Sequence, residues 1–266
     1  MTTGNRPADG GHLIIEKDDY AGFIKKEPKA VKYIKRFIGS VEYINNKERY
    51  CLWLVGVSPS EIRKMPEVMK RVELCKQDRL NSPDKGRQKL ADTPTVFRET
   101  QNPNQYIIMP KVSSERRRYI PCGFMNGDII PSDLVFIIPE ATLYHFGILT
   151  SNVHMAWMRT VCGRLKSDYR YSKDIVYNNF PWPTPTDEQK ARIEQTAQGI
   201  LDARAKYPDC SLADLYDETT MPPELRKAHQ ANDKAVMQAY GFWGKLNSES
   251  ECVAELMKMY QELTSK

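Results

Sequence analysis

The chain has 266 residues, 41% of them hydrophobic and 27% charged, with a formal net charge of +5. That composition supports one large or two modest apolar cores, and it excludes a disordered or collagen-like polymer. No apolar run approaches the ~18 residues of a membrane span, and no basic, apolar, small-residue signal peptide opens the sequence.

Charge is unevenly spread. Residues 1–186 hold 29 Lys and Arg against 20 Asp and Glu, a net +9, whereas residues 187–266 hold 10 against 14, a net −4. The front two-thirds is the candidate polyanion binder, and the tail reads as an acidic helical appendage. Six cysteines are scattered without a Cys-x-x-Cys and without a histidine at ligand spacing. We expect reduced thiols in a cytoplasmic protein, with no structural metal and no disulfide framework.

In chain order, residues 1–12 are rich in Gly and polar groups and are expected to fray, as a cut end of a longer chain would. Asp18 or Asp19 suits a helix cap. The stretch 37–55 reads as a β-hairpin: Val41, Tyr43, Tyr50, Leu52 and Trp53 are strand formers, and Asn45-Asn46-Lys47 suits the turn. Ser58-Pro59-Ser60-Glu61 starts a short helix. Pro66 restarts it, and the spacing predicts a helix to Leu80 with Val68, Val72 and Cys75 inward and Lys70, Arg71, Lys76 and Arg79 on the surface. Residues 81–87 read as a loop.

Residues 93–139 have β character, with runs at 95–97, 106–109, 119–120, 129–130 and 134–138 separated by turn residues. From Leu143 to Leu165 the pattern returns to helix, with Ser151 as a cap and Val153, Trp157, Val161 and Leu165 as the buried stripe. Ala156 and Gly163 would allow a neighbour to approach closely. Beyond Pro185 everything is helical: Thr186 to Gln189 forms a capping box, and Pro222 and Ser248 open further helices. The expectation is an α+β fold, a small mainly antiparallel sheet with flanking helices and a C-terminal all-α subdomain. We divide it into 1–92, 93–185 and 186–266.

Catalytic signatures are missing. There is no G-x-G-x-x-G, P-loop or G-x-S-x-G. Glu27-Pro28-Lys29 has the form of half a nuclease motif but lacks a preceding Pro-Asp. Asn179-Phe180-Pro181-Trp182 resembles an Asn-Pro-Pro-Tyr loop without its first proline. His12, His145, His154 and His229 are isolated from one another. No residue is assigned a catalytic or metal role.

Two basic segments remain. Lys111-Val-Ser-Ser-Glu-Arg-Arg-Arg-Tyr119 offers phosphate donors in Lys111, Ser113 and Ser114, and forked guanidinium groups in Arg116, Arg117 and Arg118 that could bond guanine edges. Residues 161–183 interleave Arg164, Lys166, Arg170 and Lys173 with tyrosines, before Phe180-Pro181-Trp182-Pro183 stops any regular element. On residues alone, both segments could equally be a solvated turn and a solvated helix end beside an aromatic corner.

Longer motifs decide more. Arg49-Tyr-Cys-Leu-Trp-Leu54, Val112-Ser-Ser-Glu-Arg-Arg117, Tyr144-His-Phe-Gly-Ile-Leu-Thr-Ser151, His154-Met-Ala-Trp-Met-Arg159, Cys162 to Ser172 and Tyr177-Asn-Asn-Phe-Pro-Trp-Pro183 occur in order. Leu225-Arg-Lys-Ala-His229 and Asp233-Lys-Ala-Val236 follow. Together they closely resemble the C-terminal target-recognition region of MmeI-like (type IIL/IIG) restriction-modification methyltransferases.

The resemblance implies a fragment of an enzyme that also carries a nuclease and an adenine-N6 methyltransferase. S-adenosylmethionine would bind in that missing domain, not in this chain. It implies double-stranded DNA and the methyltransferase domain of the same polypeptide as partners. It also implies that Arg116, Arg117, Arg118, Asn152 and His154 read base edges in the major groove. Lys111, Ser113, Ser114, Arg159, Arg164, Lys166, Lys70 and Arg71 would hold backbone phosphate. The alternatives are an interaction domain docking a nuclease or methyltransferase through its acidic tail, and a stand-alone enzyme with an unfamiliar site.

Overall fold

The computed structural model describes residues 1–265 and divides into two compact units. One comprises residues 1–2, 105–124 and 136–266, the other residues 3–104 and 125–135. After β1 (Thr2–Thr3), the chain forms β2 (Ile14–Glu16), α1 (Lys17–Lys26), β3 (Ile34–Ile38), α2 (Ser40–Ile44) and β4 (Arg49–Leu52). Then come α3 (Pro59–Ile62), α4 (Pro66–Leu80) and α5 (Lys85–Lys89), followed by β5 (Gln105–Pro110), β6 (Val112–Ser113), β7 (Gly123–Asn126), β8 (Ile129–Pro131) and β9 (Val135–Pro139). The remainder is α6 (Leu143–Leu149), α7 (Asn152–Val161), β10 (Gly163–Leu165), β11 (Asp168–Arg170), α8 (Asp187–Ala205), α9 (Leu212–Leu215), α10 (Pro223–Ala239) and α11 (Glu249–Thr264).

The unit built mostly from residues 3–104 has a sheet in the order β2-β4-β3-β8, antiparallel except for the parallel β3–β8 pair. Its core packs Phe37, Leu52 and Ile130 against Val68, Val72 and Cys75 of α4. Strands β3 and β4 pair as a hairpin would, but Val41 and Tyr43 lie in helix α2 between them. There Glu42 Oε2 accepts the Gly39 N–H at 2.8 Å, and this local bond outweighs β propensity. Residues 95–97 form no strand, and the expected loop contains α5, capped by Asp84. Residues 3–12 are tied down rather than frayed. Asn5 is fully buried and exchanges hydrogen bonds with the backbone of Gln101, donating at 2.8 Å and accepting at 2.6 Å.

The other unit carries a sheet in the order β1-β9-β5-β7 and a three-stranded antiparallel sheet, β10-β11-β6. Helices α8 and α10 pack on each other, α6 packs mainly on α8, and α11 lies along α7. Trp157 of α7 anchors the core, its indole N–H donating to the Val176 carbonyl at 2.9 Å. Helix α7 ends at Val161, where extended backbone begins at Cys162. Leu165 therefore leaves the expected buried stripe and is 51% exposed on β10. The architecture is α+β with small sheets, mainly antiparallel, and a helical C-terminal region.

Candidate functional site

Strand β6 leads into the arginine turn. The Ser114 carbonyl accepts the Arg117 N–H at 3.1 Å, and the Ser114 hydroxyl accepts the Arg116 N–H at 3.3 Å. Such local bonds let serine close a turn. Arg116 and Arg118 are exposed and Arg117 is half-buried. Burial pushes the Arg117 guanidinium below its usual pKa, against the pull of Asp168 and Asp217. The exit of the turn is fixed, because the Ile120 N–H donates to Met155 Sδ at 3.4 Å. Arg159 donates to the Arg118 carbonyl at 2.5 Å and to Glu249 at 2.9 Å.

Helix α7 begins nearby in the same unit. Ser151 caps it, accepting the His154 N–H at 3.3 Å. The Asn152 N–H donates to Asp233 Oδ1 at 2.7 Å, and its side-chain amide lies 3.5 Å from Met237 Sδ. Asn152 Oδ1 is buried without a hydrogen-bond partner. Turn and helix start share one cavity of about 480 Å³, lined by Arg116, Arg117, Arg118, Asn152 and Arg159 together with Glu218 and Glu249.

His154 is not on that cavity. Two residues along a helix turn a side chain by roughly 200°, so Asn152 and His154 face opposite ways. The His154 ring is fully buried, with Nε2 at 2.9 Å from the Tyr171 hydroxyl and Phe180 edge-on at 4.5 Å. Burial pushes its pKa down to about 3, so the ring is neutral.

The other candidates divide by placement. Ser113 is 2% exposed, and the Lys111 ammonium lies 4.6 Å from the Phe136 ring centre. Arg164 stacks on Tyr169 at 4.0 Å and donates to the Ser167 carbonyl at 2.9 Å. Lys166 is exposed at the tip of the β10–β11 hairpin, with φ +57°. Pairing of β11 with β6 through Tyr169↔Ser113 sets this hairpin beside the strand that feeds the arginine turn. Residues 163–170 are thus a hairpin and not a helix end. In the other unit Lys70 is exposed, but Arg71 donates to the carbonyls of His12 and Ile14 at 2.9 and 3.0 Å.

Sequence reasoning overlooked Tyr119 and Asp233. The Tyr119 hydroxyl donates to Asp233 Oδ2 at 2.7 Å, and its ring stacks on His229 at 4.1 Å. Burial raises the Asp233 pKa to about 6, opposed by its bonds to Tyr119 and Asn152. The only signal for Asp233 was its place in the Asp233-Lys-Ala-Val236 motif. Among the described residues, no group of three or more His, Cys, Asp or Glu could hold a metal ion, and no helix is long and apolar enough to cross a membrane.

Comparison with known proteins agrees with these motifs. A family model described as the MmeI target recognition domain matches residues 1–184, and one described as the MmeI C-terminal domain matches residues 185–266. DNA methyltransferase A of Bacillus subtilis (strain 168) is 44% identical over 264 residues, 99% of this chain and 30% of that protein. A solved structure of the type IIL restriction-modification enzyme MmeI in complex with DNA is 45% identical, with a TM-score of 0.96, over 100% of this chain and 35% of that one. The chain spans about a third of the length of these relatives. It belongs to the MmeI family, of which it carries the target recognition and C-terminal domains.

Proposed function

We propose that this chain recognises the DNA target of a longer restriction-modification enzyme, a cytoplasmic adenine-N6 methyltransferase. The observation that carries this reading is the shared cavity, which brings Arg116, Arg117 and Arg118 to Asn152 across 34 or more residues of chain. A guanidinium fork matches guanine O6 and N7, and an asparagine amide matches adenine N6 and N7. Asn152 lines the same cavity and its buried Oδ1 has no partner within the chain, so it becomes the acceptor such a pairing needs once the amide turns outward. Arg164 and Lys166, on the hairpin beside the arginine turn, would meet phosphate, which positions the duplex without reading it; Lys70 is exposed on its own unit and stays a phosphate candidate there. Arg159 and Arg71 spend their donors on the protein, and His154 and Ser113 support the site from inside.

S-adenosylmethionine fits the missing part of the enzyme better than this chain. Its sulfonium is cationic, whereas the cavity is lined by four arginines against three glutamates, and no Gly-rich cofactor loop is present. When bound in its own domain, the cofactor would supply the methyl group while this region holds the duplex and an adenine is flipped out. The alternative, docking through the acidic tail, is weakened because Ile193, Ala197, Leu225 and Val236 already fill this chain's own core.

Anisotropy titration of the isolated chain with duplex DNA tests the reading. With about three phosphate contacts, affinity should fall about 40-fold between 50 and 200 mM salt. No methyl transfer from S-adenosylmethionine is expected. Transfer by this chain alone, or absence of DNA binding together with capture of the methyltransferase domain, would overturn it.

A further inference from the structure

We infer that Asp233 is a positioning residue for target reading, its carboxylate joining the arginine turn to the start of α7 and so setting the distance between the two groups of base readers. The inference rests on the recognition reading above. Oδ2 accepts from the hydroxyl of Tyr119, the residue after Arg118, and Oδ1 accepts from the backbone N–H of Asn152, both at 2.7 Å. Asp233 comes from α10, 114 residues from one partner and 81 from the other. One side chain of the C-terminal region thereby holds both reading segments at once.

The surroundings make the joint rigid. Asp233 is 6% exposed, and the Tyr119 ring is trapped on His229, one helical turn before Asp233. The charged groups that act on the carboxylate are Arg118 of the turn and Arg159 of α7. Arg159 also bonds the Arg118 carbonyl, so turn and helix are tied twice. Burial raises the Asp233 pKa to about 6, so at pH 7.5 the carboxylate is ionised in a place that disfavours the charge. A neutral asparagine would fill the same space without the charge, but could accept from only one of the two donors. Retaining a charged acceptor for two donors is what a site shaped for recognition does, at the expense of stability.

D233N separates positioning from mere structure. The amide keeps the volume but offers one acceptor oxygen where the carboxylate offers two. The probe is the duplex containing the sequence modified by the full-length enzyme, found by methylome sequencing, set against a single-base variant and a random duplex. D233N should remain folded, bind random DNA as before, and lose about tenfold in discrimination between target and variant. Y119F, which removes the donor on the other side, should lose a similar factor, and the double variant should lose little more. Discrimination by the unaltered chain should decline from pH 7.5 to 5.5 while that of D233N stays flat. Folded D233N and Y119F with unchanged discrimination would overturn the inference. Failure of the unaltered chain to bind DNA at all would instead remove the recognition reading on which it rests.

Discussion

Arg79 shows what a single side chain does in this fold. It is completely buried, and its guanidinium donates to the carbonyls of Pro7, Ala8, Leu90, Thr93 and Val96 at 2.8 to 3.0 Å. The helical pattern of α4 assigned it to the surface, because periodicity knows nothing of a loop folding over a helix end. Five carbonyls share it, although those of Leu90 and Thr93 also accept the backbone N–H groups of Thr93 and Val96, and a buried network broken on one side costs several kcal/mol. R79M should lower the stability of its unit by roughly 3–5 kcal/mol in urea titrations; a loss under about 1 kcal/mol would mean the loops rearrange to bond elsewhere. Arg116 to Arg118 stand out as candidates because an arginine run is a local feature of the sequence, whereas Asn152 was singled out only through the family resemblance. Asp233 was not, since a bridge to Tyr119 over 114 residues leaves no local trace.

At the scale of elements, helix starts were the most legible features. Ser58, Ser151, Thr186 and Ser248 all cap where expected, each accepting an N–H three residues on, because the capping bond is made within one turn. The hairpin β10–β11 was not legible, as its exposed basic residues suit a helix end equally well. Its tip gives a clean experiment. Lys166 has φ +57°, a conformation glycine adopts freely, so K166G removes the charge without straining the turn. If Lys166 holds phosphate, affinity should drop uniformly across sequences and the salt slope should fall by about one. A loss confined to one base pair would make it a reader instead. Close helix approach was sought at Gly163, but it occurs at Gly147 of α6. A Cβ there would stand 2.6 Å from Ile193 Cγ2 and 3.1 Å from Asn232 Oδ1. G147A should therefore destabilise by about 1–3 kcal/mol, despite the gain of about 1 kcal/mol in helix propensity, as thermal melts would show.

Over the whole molecule, pH links the site to stability. Burial holds His154 down to about 3 and His229 well below its ordinary value. Their contribution is fully present above pH 6.5, where both states are neutral, and is lost as pH falls and the unfolded chain takes up protons. Each histidine therefore removes about 1.4 kcal/mol per pH unit below 6.5. Asp233 acts in the opposite direction. Its pKa is raised to about 6 from 3.8, so its contribution is fully present below 3.8 and is lost as pH rises through 6. Ionisation costs roughly 3 kcal/mol at neutral pH. Between pH 6 and 4 the acid partly offsets the two histidines. Compared with the unaltered chain in urea titrations across that window, H154Q should flatten the pH dependence of the unit holding these groups by about 1.4 kcal/mol per pH unit. D233N should steepen it by a similar amount and raise stability at pH 7.5. An unchanged slope in H154Q would mean that His154 gains its proton within the folded core. A lower stability of D233N at pH 7.5 would mean that the carboxylate's two hydrogen bonds outweigh its burial.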